Sequence, residues 1–178
     1  MRITISGSPG SGTTTLGKAL ADIFGYRYVS AGEFFRACAA ERHMSLAEFG
    51  ELAKKNPEID KDVDRRQKEL GESSDDIILE GRLAGWMVSN ADLKILLCAS
   101  QKCRSQRIAE REGLVPEESY AQTVEREKCE AERYMAYYQI DIADCAPYDL
   151  VMSSERFNQD DVLAMARAAV SSLLMKKN

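Results

Sequence analysis

The chain has 178 residues, 44% hydrophobic and 30% charged, which suits one globular domain with a well-buried core. A formal net charge of −5 excludes a general basic field for holding nucleic acid, and no apolar run approaches the ~18 residues of a membrane span. Five cysteines (Cys38, Cys98, Cys103, Cys129 and Cys145) form no C-x-x-C pair and read as reduced thiols rather than a disulfide framework. The single histidine, His43, reads as a surface residue without acid–base company. The chain enters its first strand directly, so no signal peptide and a cytoplasmic location are expected.

In chain order, Ile3-Thr4-Ile5 predicts a strand, and Leu16, Ala19, Leu20, Ile23 and Phe24 predict an amphipathic helix that Gly25 stops. Tyr26 to Val29 reads as a second strand and Ala31 to Arg42 as a helix. Ser45 and Glu48 make a capping box for a helix carrying Leu46, Phe49 and Leu52. Asn56-Pro57 opens another helix, running toward Leu70 before Gly71. Ile77-Ile78-Leu79 has the continuous apolar character of a central parallel strand. Leu93 to Ala99 and Tyr148 to Met152 supply two more strands, and Leu163 to Leu174 a closing helix. This alternation predicts an α/β three-layer fold around a five-stranded parallel sheet, with an inserted helical arm between the second and third strands.

Between the first strand and first helix lies Gly7-Ser8-Pro9-Gly10-Ser11-Gly12-Thr13-Thr14-Thr15. Strand, glycine-rich loop and helix are the context of a phosphate-binding P-loop, in which successive backbone N–H groups and the helix dipole face a polyphosphate. Thr14 keeps the hydroxyl that would touch a Mg²⁺ ion. Thr13 stands where the pattern has lysine, and Lys18, five residues on, faces elsewhere on the helix. The missing charge must come from other residues.

Arginines are the candidates, since guanidinium groups grip phosphate oxygens bidentately and stay charged at any working pH. Arg36 follows the second strand, and Arg82 follows the third at the carboxyl edge of the sheet, where open α/β folds bind ligands. Arg104, Arg107 and Arg111 share one helix face, while Arg126, Glu130 and Arg133, extended by Thr123 and Tyr137, share another. A turn over residues 112–116 separates the two helices and offers a hinge for a lid. Each of these arginines has the alternative of a solvated, salt-bridged face. Glu80 either orients Mg²⁺ through a water or acts as a structural acceptor. The acidic run Glu58, Asp60, Asp62 and Asp64 is by default a solvated face, though one carboxylate could accept from the exocyclic amine of a base.

Together the P-loop, Ser30-Ala31-Gly32-Glu33-Phe34-Phe35-Arg36, Asp64-Arg65-Arg66-Gln67, Leu79-Glu80-Gly81-Arg82 and the spaced Arg126, Glu130 and Arg133 resemble the nucleoside monophosphate kinases. Within that family the likeness is to the short, archaeal type of cytidylate kinase. The resemblance implies a single kinase domain over 1–178, with a monophosphate-binding arm at about 31–72 and a lid at about 104–133. It implies ATP as donor, Mg²⁺ as cofactor, and CMP and dCMP as acceptors, with no nucleic-acid or membrane partner and a monomeric state. Residues 7–15 would bind ATP, with Thr14 on the metal. Ser30, Gly32, Arg36, Gly81, Arg82 and Glu130 would hold the acceptor, and Arg104, Arg107, Arg126 and Arg133 would serve catalysis. Bacterial relatives place an aspartate directly after the Gly-Arg pair, where this chain has Leu83. Base reading then falls to Asp60, Asp64, Arg65 and Arg66. An adenylate or uridylate kinase, or an ATP-binding regulator without catalysis, are the alternatives.

Overall fold

The computed structural model describes residues 1–177. Thirteen elements alternate along them: β1 (Arg2–Gly7), α1 (Thr13–Phe24), β2 (Arg27–Ser30), α2 (Ala31–Glu41), α3 (Leu46–Lys55), α4 (Pro57–Ser73), β3 (Ile77–Glu80), α5 (Ala84–Met87), β4 (Leu93–Cys98), α6 (Gln101–Glu112), α7 (Pro116–Tyr138), β5 (Leu150–Ser153) and α8 (Gln159–Lys177). The five strands form one parallel sheet in the order β2-β3-β1-β4-β5. Among the described residues no helix is long and apolar enough to cross a membrane.

Alternation along the buried strands sends side chains to two cores. Ile3, Ile5, Ile78, Ile95 and Leu97 pack against Leu16 and Leu20 of α1 and Val162, Ala166 and Val170 of α8. Ile77 and Leu79 pack instead with Val29, Ala84 and Val88, and Leu70 of α4 joins them. The arm has a small core of its own in Cys38, Ala39, Phe49, Ala53, Ile59 and Val63, bridged to the sheet by Phe34. The capping box of Ser45 and Glu48 forms, and Ser30 with Glu33 makes a second. The side chain of Leu46 lies outside the described residues.

Three expectations change. Gly71 does not stop α4, which continues to Ser73. A Cβ there would lie 2.7 Å from both Leu79 and Val88, so the glycine serves close helix–sheet approach. The short α5 went unpredicted because four residues carry too little periodicity to read. Tyr148 precedes β5 and packs its ring over Gly85, where a Cβ would sit 2.4 Å from it.

Candidate active site

β1 ends at Gly7 and the chain turns through the glycine-rich loop before α1 begins at Thr13. Gly10 (φ 83°) and Gly12 (φ 93°) take left-handed conformations that side chains resist. At Gly10 a Cβ would also stand 2.7 Å from the Arg104 carbonyl oxygen, so the loop rests directly on the start of α6. Ser11 is fully buried behind the loop, and Ser11 N–H donates to Ser8 O at 3.0 Å. Thr14 and Thr15 are exposed on the first turn of α1.

Thr13 does not present its hydroxyl to the cradle. It is 8% exposed, and its Oγ1 donates to Glu80 Oε1 at 2.7 Å. The other oxygen, Oε2, accepts from the Tyr28 hydroxyl at 3.2 Å. Burial, with the Glu80 charge beside it, raises the Tyr28 phenol above its ordinary range. Lys18 stands 6.0 Å from the centre of the Tyr28 ring, away from the loop as expected.

Arg82 joins the P-loop to α7. Its Nη1 donates to Ser8 Oγ at 2.5 Å and its Nε to Glu130 Oε2 at 2.6 Å. Nη2 is buried and lies 2.6 Å from the same Glu130 oxygen, but without hydrogen-bond geometry. Glu130, 5% exposed, spends its second oxygen on Arg126 Nε at 2.8 Å. One buried carboxylate thus brackets an arginine from the sheet edge and one from the lid helix. Gly81 meets the Gln67 amide, whose Nε2 donates to Glu80 O at 3.0 Å. Beside Glu80 in the sheet, Ser30 caps α2, and Arg36, nearly two turns on, is exposed with no ion-pair partner among the described residues. A Cβ on Gly32 would meet Arg36 Nη1 at 3.5 Å.

The helical arginines separate into different roles. Arg104, 4% exposed, donates to the carbonyls of Ala99 and Pro9 and pairs with Glu127. Burial raises the Glu127 carboxyl, but Arg104 and the Gln101 amide outweigh it and hold it below the usual carboxylate range. Arg107 donates to Gly10 O at 3.2 Å, Ser154 Oγ at 3.1 Å and Ser154 O at 2.6 Å. Arg111 is exposed and pairs with its neighbour Glu112. Arg104 and Arg107 therefore donate to carbonyls of the P-loop, while Arg111 lines one cavity with Pro9 and Arg126 and, among the described residues, bonds only Glu112.

The arm meets α7 through polar contacts. Arg133 Nη1 donates to Asp60 Oδ2 at 3.0 Å, and the Tyr138 hydroxyl to Asp64 Oδ2 at 2.7 Å. Burial, opposed by the Tyr138 hydrogen bond and Arg133 and aided by the Asp60 charge, pushes the Asp64 carboxyl up to about 6. Burial likewise raises Tyr134, which feels Glu130, Asp64, Arg82 and Arg133. Arg65 is exposed and spends its donors on Asp62 and Glu69 of its own helix, so it is not brought to the cleft. Arg66 pairs with Glu41 and Asp62, fastening α2 to α4.

Tyr28, Glu127, Tyr134, Tyr138 and Ser154 escape sequence reasoning. Tyr134 had a faint signal, one helical step beyond Glu130, whereas Tyr138 lies about 120° round the helix from Arg126 and Tyr28 stands on a strand. Glu127 and Ser154 had none, because their partners come from distant segments.

A family model described as the cytidylate kinase-like family matches residues 2–156. A curated cytidylate kinase of Methanocorpusculum labreanum is 65% identical over 177 residues, covering 99% of this chain and 100% of the relative. One of Methanoregula boonei is 53% identical, covering 97% and 96%. Among solved structures, a shikimate kinase from Bacteroides thetaiotaomicron matches with a TM-score of 0.63 at 16% identity, covering 98% of each chain, a likeness of fold.

Proposed function

The chain belongs to the cytidylate kinase-like family, and from that premise we propose that it transfers the γ-phosphoryl group of ATP to CMP, and to dCMP, yielding ADP and the diphosphate. The observation that carries this reading is the direct join between cradle and acceptor side, Arg82 Nη1 to Ser8 Oγ at 2.5 Å. A pure nucleotide sensor has no need of such a join, and family membership does not favour an adenylate or uridylate kinase.

In this reading the amides of residues 7–15 cradle the ATP phosphates. Arg36, without a counter-ion among the described residues, and Arg82 hold the CMP phosphate, with Ser30, Gly32 and Gly81 shaping the wall behind it. The acceptor phosphate is already an oxyanion, so positioning and charge neutralisation carry the rate and no general base is required. Arg104 and Arg107 keep the P-loop in its binding shape, while Arg126 and Arg133 stand on α7 to face the phosphates and the acceptor. Glu130 keeps Arg82 and Arg126 aligned.

Mg²⁺ fits the donor set: the Thr14 hydroxyl and the Glu80 carboxylate are hard oxygens, and Glu80 is paired with neutral hydroxyls rather than a cation. Among the described residues no three His, Cys, Asp or Glu side chains cluster, which suits an ion held largely by phosphates and water. When bound, the ion would offset charge on the transferring phosphoryl group.

In the same reading Asp60 and Asp64 read the base. An ionised carboxylate accepts from the amine of cytosine but opposes the carbonyl that uracil carries there, leaving a buried acceptor unpaired. A coupled assay across CMP, dCMP, UMP and AMP tests the reading. CMP and dCMP should be turned over well ahead of the others, and equal use of UMP or AMP would defeat it.

A further inference from the structure

Glu80 ends the central strand β3 beside the first turn of α1, and both of its carboxylate oxygens accept from hydroxyls, Thr13 from α1 and Tyr28 from β2. Neither partner is charged, so these bonds fix the orientation of the carboxylate without pairing it with a cation. Tyr28 has little freedom itself. Its backbone pairs with Ile78 in the sheet, and its ring fills the notch left by Gly17, where a Cβ would stand 2.6 Å from Cε2. Thr13 is equally fixed, with its methyl carbon 2.9 Å from where a Cβ on Gly7 would be.

We propose that Tyr28 is a positioning residue for the metal–nucleotide complex: with Thr13 it pins the two oxygens of Glu80 in place beside Thr14. This gives the departure from lysine a purpose. A lysine at position 13 would put its ammonium beside Glu80 and neutralise the carboxylate, whereas a hydroxyl orients it and leaves its charge for a cation. The inference rests on residues 7–15 being the nucleotide cradle and on Thr14 facing the metal. The competing explanation is a tether that merely fastens β2 and α1 together.

Mn²⁺ is the probe, its binding to the enzyme–ADP complex followed by electron paramagnetic resonance. ADP binding in EDTA is measured in parallel by calorimetry. Tyr28→Phe and Thr13→Val should each weaken Mn²⁺ binding about ten-fold, the usual effect of losing an outer-shell partner. ADP affinity in EDTA should stay within about two-fold, because it depends on the loop amides. Thr13→Ser, which keeps the hydroxyl, should behave as the parent. Unchanged Mn²⁺ affinity in both variants overturns the proposal, as does a loss matched by an equal loss of ADP binding in EDTA. If Tyr28→Phe fails to fold, Thr13→Val decides alone. Failure of the unaltered protein to bind ADP at all overturns the cradle reading and this inference with it.

Discussion

Residues 7–15 rest on the largely buried strands β1, β3 and β4, whereas residues 31–73 carry a small core of their own and meet α7 through polar contacts. The cradle is gripped from behind by Arg104 and Arg107 and from the side by Arg82. The arm is held at Asp60 by an ion pair and at Asp64 by one hydroxyl. Apolar burial is strong and non-directional, while partly exposed ion pairs are individually weak, so the contacts of Asp60 and Asp64 with α7 hold less firmly than the core beneath residues 7–15.

Three substitutions probe that contrast. Arg82→Ala should have the largest effect, because it strips the acceptor side of its anchored cation and leaves Glu130 buried with only Arg126. Losing one member of a desolvated charge pair costs about 2–5 kcal/mol, so kcat/KM for CMP should fall by at least about thirty-fold. ATP affinity should change little, and equal losses on both nucleotides would show that the two sides are not separable. Arg104→Met comes next. It leaves Glu127 without its buried partner and the Pro9 carbonyl without a donor, so thermal unfolding and ATP affinity should both suffer, by about 2–4 kcal/mol. An arm substitution should not touch ATP affinity.

The smallest effect belongs to the arm. Burial raises Asp64 from the model-compound value of 3.8 to about 6, so the folded protein holds a proton there that the unfolded chain has already released. Stability therefore falls as pH rises between about 4 and 6, and the penalty is fully present above that window. Asp64→Asn should remove it, raising stability by about 1–3 kcal/mol at neutral pH and by almost nothing near pH 4. CMP use should weaken in the same variant. A gain independent of pH would mean that the carboxyl is not strained by burial.

The same contrast governs what the sequence made legible. Strand order of apolar residues, the glycine loop, caps and the arginine at the sheet edge are local patterns, and the cradle could be read from them. The destination of the arginine charges could not. Arg104 lies on the expected face, but whether it meets a ligand or Glu127 depends on how α6 and α7 dock, and no local pattern carries that. Thr13 looked like a lost charge to be repaid by the lid arginines. Its hydroxyl has a carboxylate for a partner instead, on a strand distant in the chain. Asp64 and Arg65 are adjacent and equally polar in sequence, yet one is drawn under Tyr138 and the other stays in solvent, a difference set by which face of α4 meets α7.

The helix α7 runs unbroken for 23 residues, a rod of about 34 Å. At its middle Glu127 holds Arg104, which donates to the P-loop, and Glu130, less than a turn on, holds Arg82; toward its end Arg133 and Tyr138 meet Asp60 and Asp64. A stiff beam gripped at three stations cannot tilt at one without straining the others. A shift at Arg133 or Tyr138 is therefore carried by the helix itself to Glu130 and Glu127, without any chain of intermediate side chains to relay it.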